Sequence, residues 1–259
     1  MDRELVFLEE KDQQHLIDTP LLKKMVELAE IKGSETVLEI GSGVGNLTEL
    51  LAEKARKVYA IEIDGRFVKI LRKKFDGKNV QIIRGNALKI DFPKFDKVVS
   101  NLPYSICAAF FQKLVKYDFK LGIFTVPEGF ARIMVAKRED ENYSKFSMMI
   151  NSFYEVELLQ KIGKDSFFPE PRVTSALIRI KPKKNFDFES LLLRLLFLQS
   201  DKKLKNSLRE SLIKIKKITK REAKRIISEL KIDQLLEKNI SNLSEDDIDS
   251  IIQKIKLKF

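Results

Sequence analysis

Through residue 180, short apolar runs rich in β-branched residues alternate with stretches whose apolar positions recur at helical spacing. Thr36-Val-Leu-Glu-Ile40 is such a run, ending in glycines, and reads as a buried strand. Val58-Tyr-Ala-Ile-Glu-Ile63, Val80-Gln-Ile-Ile83 and Lys97-Val-Val-Ser-Asn101 are further strand candidates. Between them, residues 47–54 and 66–75 carry the helical period. Alternation of this kind predicts an α/β fold, a doubly wound parallel sheet of Rossmann-like type with helices on both faces. Such sheets bind ligands outside the carboxyl ends of their strands, near the point where strand order reverses. After Pro182 the pattern changes. Pro182-Lys-Lys-Lys184 reads as a hinge, no glycine occurs from Phe188 onward, and residues 188–198, 202–217, 221–230 and 245–257 read as amphipathic helices. Ser244 before Glu245-Asp246-Asp247 is an N-cap followed by acid in the first turn. The expected organisation is therefore an α/β domain over 1–182 and a small all-α domain over 183–259.

Composition narrows the classes. The chain has 259 residues, 44% of them hydrophobic and 34% charged, with no stretch approaching a membrane span and no secretory signal at the N-terminus. Cys107 is the only cysteine and His15 the only histidine. That excludes an intrachain disulfide and leaves no material for a Cys/His metal site or a Ser-His triad, so no metal and a reducing cytoplasm are expected. The net charge of +11 points to a polyanionic partner, and it is unevenly spread: residues 181–259 hold 20 Lys+Arg against 12 Asp+Glu, a net +8. Lys202, Lys203 and Lys205, close together at the start of a predicted helix, are the candidate contacts to nucleic-acid phosphates.

Glu39-Ile-Gly41-Ser-Gly43-Val-Gly45 follows a strand and precedes a helix, where glycine lets a backbone approach a ligand closely. A dinucleotide loop would place a glycine at position 46, which is Asn46, and Glu39 stands two residues before the first glycine; both features favour S-adenosylmethionine over NAD. Glu39 either reaches the positively charged methionine end of that cofactor, directly or through water, or caps the loop. Glu62, at the end of the next strand, is placed to accept both ribose hydroxyls. Asn86, in Arg84-Gly85-Asn86-Ala87 after the third strand, is placed to bond the cofactor's adenine.

The fourth strand ends in Asn101-Leu102-Pro103-Tyr104. An exocyclic amine is a poor nucleophile because its lone pair is delocalised into the ring. Acceptors on its hydrogens direct the lone pair outward and stabilise the charge that develops; the Asn101 side-chain carbonyl and the Leu102 main-chain carbonyl suit that task. Pro103 stiffens the turn, and Tyr104 offers a face on which an extruded base can stack.

This motif after a glycine-rich loop resembles the RNA adenine N6-dimethyltransferases, a family that includes the KsgA-type ribosomal RNA enzymes and the Erm methylases. DNA adenine methylases more often carry Asp-Pro-Pro-Tyr or Asn-Pro-Pro-Tyr, so Leu102 favours RNA. Residues 12–18 are similar to the family's Gly-Gln-Asn/His-Phe-Leu-x-Asp segment, which closes over the cofactor; Gln13, Leu16 and Asp18 match, while Asp12, Gln14 and His15 depart. The resemblance gives cofactor roles to Gln14, Leu16, Gly41, Glu62, Asn86 and Asn101, with Gly43 in the same loop. Asn86 stands where the family usually has aspartate, and Ser105-Ile-Cys107-Ala-Ala109 departs from its Ile-Ser-Ser-Pro. Residues 168–176 match the last nine positions of the family's Phe-x-Pro-x-Pro-x-Val-x-Ser-Ala, and the resemblance is read as making Phe168 the second aromatic on the target base. Residues 197–208 are similar to the ribosomal enzymes' Phe-x-x-Arg-Arg-Lys-x-Leu-x-Asn-x-Leu.

What the resemblance implies is a monomeric enzyme that dimethylates two adjacent adenosines in the hairpin loop near the 3′ end of small-subunit ribosomal RNA. The alternatives are an enzyme acting on 23S or transfer RNA, a DNA adenine methylase, and a ribosome-assembly factor that binds with little catalysis.

Overall fold

The computed structural model describes residues 14–184 and 186–259; Asp12 and Gln13 of the family-like N-terminal segment lie outside them. In chain order the elements are β1 (His15–Leu16), α1 (Thr19–Leu28), β2 (Thr36–Ile40), α2 (Asn46–Lys54), β3 (Lys57–Glu62), α3 (Gly65–Lys74), β4 (Val80–Arg84), β5 (Lys97–Asn101), α4 (Cys107–Leu114), β6 (Leu121–Pro127) and α5 (Glu128–Val135). There follow α6 (Lys145–Phe153), β7 (Tyr154–Ile162), β8 (Phe167–Phe168), β9 (Ser175–Pro182), α7 (Phe188–Phe197), α8 (Leu204–Lys216), α9 (Lys220–Glu229), α10 (Asp233–Leu236) and α11 (Glu245–Lys256).

The main sheet has seven strands in the order β4-β3-β2-β5-β6-β9-β7. The pairs β3/β4, β2/β3, β2/β5 and β5/β6 are parallel, and β9 runs antiparallel to β6. The chain winds outward from β2 to β4, then returns to the other side of β2 with β5, which puts the reversal of strand order between β2 and β5. Strand alternation sends Val37, Val58, Val99 and Ile123 to one face, where they meet Leu22 and Met25 of α1 and Leu47 and Leu51 of α2. The intervening Phe124 packs against Phe110 and Phe111 of α4, with ring centroids 5.8 and 5.1 Å away. A separate two-stranded ribbon pairs β1 with β8, His15 opposite Phe168 and Leu16 opposite Phe167.

Local chemistry sets the helix starts. Asp18 accepts a hydrogen bond from Leu21 N–H at the head of α1, and Asp64 accepts from Arg66 N–H at the head of α3. Thr219 and Glu222 form a reciprocal capping box on α9, as Ser244 and Asp247 do on α11.

The chain packs as two compact units. Among the described residues, one holds those up to Val135 together with Glu155–Pro182, and the other holds Ala136–Tyr154 together with those from Lys183 to Phe259. This differs from the expected single division after residue 182. Met148 of α6 belongs to the same apolar cluster as Leu192, Leu204, Leu208, Ile248 and Ile252 of the helical unit, so residues 136–154 pack there. Polar tethers add to the apolar packing. The Lys145 ammonium donates to the carbonyls of Ile240, Ser241 and Leu243 at 2.8–2.9 Å, and Arg138 pairs with Glu189 and Asp249.

Candidate active site

A cavity of about 280 Å³ lies at the carboxyl ends of the parallel strands. It opens because β2 and β5 stay paired only through Val37 with Lys97 and Leu38 with Val98. Beyond that point the Ser100 hydroxyl replaces the ladder, donating to the Ile40 carbonyl at 2.6 Å. Gln14, Leu16, Glu39, Gly41, Gly43, Glu62, Asn86, Asn101, Leu102 and Pro103, ten of the positions singled out from the sequence, line this one cavity. Tyr104 and Phe168 are not among its lining residues.

The glycine loop runs with Gly41, Gly43 and Gly45 at positive φ. At Gly43 a side chain is excluded twice over: φ is +52°, and a Cβ would stand 2.9 Å from His15 Nδ1. His15, where the resembled family has phenylalanine, keeps an aromatic role, meeting Phe67 edge to face at 5.2 Å; burial holds its imidazole below the usual value.

Glu62 is 5% exposed, and both its oxygens are engaged by backbone. Oε2 accepts from Gly43 N–H at 2.8 Å and Oε1 from Asp64 N–H at 2.9 Å, so the carboxylate ties the loop to the end of β3. Glu39 is buried more deeply still. Loss of water pushes its carboxyl up to about 7, against the hydrogen bond from Thr48 and with help from the negative charge of Glu62. The Thr48 hydroxyl, on α2, donates to Glu39 Oε2 at 2.6 Å, so Glu39 braces the start of α2 while lining the cavity. Asn86 Oδ1 accepts from Leu88 N–H at 2.8 Å, an Asx turn that fixes the side chain after β4.

Asn101 ends β5 with both ends of its amide held. Nδ2 donates to the Gln14 main-chain carbonyl at 2.9 Å, and Oδ1 accepts from the Thr125 hydroxyl on β6. Leu102 is buried, and its N–H donates to the Thr125 carbonyl at 3.3 Å. Pro103 has φ −58°, and its carbonyl accepts from Ile106 N–H at 3.1 Å in the turn that follows. The Tyr104 hydroxyl bonds the Ser175 hydroxyl at the start of β9, and burial pushes its phenol above the ordinary value. Phe168 is 43% exposed, beyond the cavity on β8. Cys107 is buried, which pushes its thiol up to about 12 and makes it unreactive. Sequence reasoning missed Thr125 and Thr48, hydroxyls whose partners lie on another element and which no local motif marks, and it gave no role to Ser175, which it met only as a position of the family-like segment.

The sequence matches the family model described as ribosomal RNA adenine dimethylase over residues 9–255. The chain belongs to the ribosomal RNA adenine dimethylase family. Relatives in that family include a probable ribosomal RNA small subunit methyltransferase A of Pyrococcus furiosus, 39% identical over 95% of this chain and 91% of the relative. A protein of the same description from Thermococcus sibiricus is 46% identical over 77% of this chain and 74% of its own. Among solved structures, a dimethyladenosine transferase from Plasmodium falciparum superposes with a TM-score of 0.65 at 31% identity, covering 95% of this chain and 97% of its own. The 23S rRNA methyltransferase ErmE, with a TM-score of 0.62 and 23% identity over 93% of this chain and 99% of its own, shares the fold. As a member of the dimethylase family the chain is a methyltransferase of the doubly wound class, carrying a helical C-terminal region.

The three candidate lysines belong to the helical unit, and each meets a carboxylate. Lys202 pairs with Glu210 at 2.6 Å, while Lys203, at 2.7 Å, and Lys205 share Glu237. The two ammonium groups draw the exposed Glu237 carboxyl down to about 2. Among the described residues no helix is long and apolar enough to cross a membrane, and no group of three or more His, Cys, Asp or Glu side chains is placed to hold a metal ion.

Proposed function

We propose that this chain transfers methyl groups from S-adenosylmethionine to N6 of two adjacent adenosines in the 3′-terminal hairpin loop of small-subunit ribosomal RNA. The observation that carries the reading is the position of Asn101-Leu102-Pro103-Tyr104, which ends β5 beside the cleft where strand order reverses. Two features of the cavity fit the cofactor: the loop whose Gly43 leaves no room for a Cβ, and the acceptors Glu62, Asn86 and Asn101 at successive strand ends. S-adenosylmethionine supplies an electrophilic methyl group on a positively charged sulfur.

Glu62 is assigned to the ribose hydroxyls, because each carboxylate oxygen holds one backbone N–H and keeps a further lone pair. Asn86 is assigned to the cofactor's adenine, with Gln14 and Leu16 covering the site and Gly41 and Gly43 allowing close approach. Glu39, which lines the cavity, is assigned to the positively charged methionine end. On the target, Asn101 Oδ1 has one lone pair beyond the Thr125 bond; it and the Leu102 carbonyl accept the two amine hydrogens and turn the nitrogen lone pair toward the methyl group. No strong base is needed, since the proton is acidic once the nitrogen is alkylated and passes to water. Tyr104 and Phe168 hold the base by stacking, and Lys202, Lys203 and Lys205 meet RNA phosphates.

The test is incubation with labelled S-adenosylmethionine and unmethylated small subunits, followed by mapping of the product. Label on dimethyladenosine in that loop is the expected result. Label on another RNA, or binding without label, overturns it. Asn101→Ala should cut single-turnover methylation at least about a hundredfold, the scale of losing one preorganised contact to the reacting atoms.

A further inference from the structure

Asn101 and Thr125 are register partners on the adjacent parallel strands β5 and β6. Thr125 is fully buried and is not among the residues lining the cavity. Its hydroxyl donates to Asn101 Oδ1, while the other end of the same amide donates to the Gln14 carbonyl. The terminal torsion of an asparagine is soft and roughly two-fold, so an unrestrained amide samples both orientations. Here its two partners differ in kind. Gln14 presents a carbonyl, which can only accept and so selects the orientation, and Thr125 presents a hydroxyl whose O–H then holds Oδ1 in it. Turning the amide over would set Oδ1 against the Gln14 carbonyl, two acceptors with no hydrogen between them. Packing does not call for a hydroxyl at this point. The neighbours Phe124 and Val126 are apolar and equally buried, and valine would fill the threonine's volume without burying a polar group.

We propose that Thr125 is a positioning residue for methyl transfer, acting only through Asn101: its hydroxyl fixes the amide so that Oδ1 keeps one lone pair directed at the target amine. The inference rests on the reading of Asn101 as an acceptor for that amine. It separates two jobs at the end of β5, with Asn101 meeting the substrate and the neighbouring strand setting its orientation.

The test compares the full chain with Thr125→Val, Thr125→Ser, Thr125→Ala and Asn101→Ala, using S-adenosylmethionine and unmethylated small subunits in single-turnover assays. Thr125→Val should lower the single-turnover rate at saturating RNA roughly tenfold, the scale seen when a supporting partner of a site residue is removed, with the half-saturating RNA concentration little changed. Thr125→Ser should recover most of the parental rate. A packing role alone predicts the opposite order, because serine deletes a buried methyl group and leaves a cavity whereas valine conserves volume. Turnover of the valine variant equal to the parent, or of serine below valine, overturns the proposal. Should the valine variant fail to fold, serine against alanine makes the same comparison at nearly equal volume, and equal rates for those two overturn it. In an Asn101→Ala background, Thr125→Val should have no further effect on turnover. If Asn101→Ala alone retains the parental rate, the acceptor reading of Asn101 has failed; if only the Thr125 variants do, the positioning role alone has failed.

Discussion

Removing the Glu62 carboxylate should do more than strip a ligand contact. Its oxygens accept Gly43 N–H at 2.8 Å and Asp64 N–H at 2.9 Å, so Glu62→Ala takes the partner from both donors before any cofactor arrives. Leaving a buried N–H without a partner costs about 1–3 kcal/mol, and the ribose hydroxyls lose their acceptor by the same substitution. Cofactor affinity should therefore fall by about 1–3 kcal/mol, roughly 5- to 150-fold, and the cofactor-free protein should lose stability of similar size. Glu62→Gln tests the geometry more narrowly. A glutamine amide has one oxygen and one NH2, so it can satisfy only one of the two backbone donors and sets N–H against N–H at the other. It should bind S-adenosylmethionine nearly as poorly as the alanine variant. Titration calorimetry gives the affinity, and urea unfolding without cofactor gives the loop contribution. Parental affinity in a folded Glu62→Ala protein removes Glu62 from the site, and parental affinity in Glu62→Gln refutes the two-donor geometry.

The buried Glu39 should make stability depend on pH. Its folded value near 7 lies above the ordinary 4.5, so the native state holds the proton more tightly and stability falls as pH rises from about 4.5 to 7. The loss attributable to this group is about 3 kcal/mol, and urea midpoints of Glu39→Gln should decline less than the parent's between pH 5 and 8; parallel declines would sink the idea. Replacing Lys202, Lys203 and Lys205 together by Gln should flatten the slope of log RNA affinity against log salt by roughly two to three, because each phosphate contact releases counterions. Glu237→Gln, which frees Lys203 and Lys205 from their shared carboxylate, should strengthen RNA binding at low salt; equal slopes and affinities across these variants would show that the lysines are only a solvated face.

The cavity was legible because parallel strands deliver their last residues to one edge. Once β2 to β5 are recognised, Glu39, Glu62, Asn86 and Asn101 must converge, and they do. What holds those side chains was not legible. The Thr125 bond to Asn101 depends on the register of β5 against β6, and Thr125 sits in a run, Leu121 to Pro127, that reads as plain buried strand. The lysines of the helical unit are visible as charge, but Glu237, the partner of Lys203 and Lys205, lies 34 and 32 positions away, where no local pattern connects them. The placement of residues 136–154 was hidden for a different reason. The apolar residues of α6 describe a helix that needs a core, without saying which core, and the choice rests on packing with α7 and α11, which come much later in the chain.

The ribbon of β1 and β8 has a consequence for the order in which this protein can be made. Ser166 donates to Asp18 across 148 positions of sequence, and Ile17 N–H donates to the Ser166 carbonyl at 2.9 Å. Closing a loop of that length costs about 4 kcal/mol in chain entropy before a single contact repays it. A chain growing from its N-terminus therefore presents residues 14–18 before β8 emerges. Asn101 and Phe67 are available to Gln14 and His15 earlier, but the ribbon that backs Leu16 on the cavity wall is completed only once β8 is made.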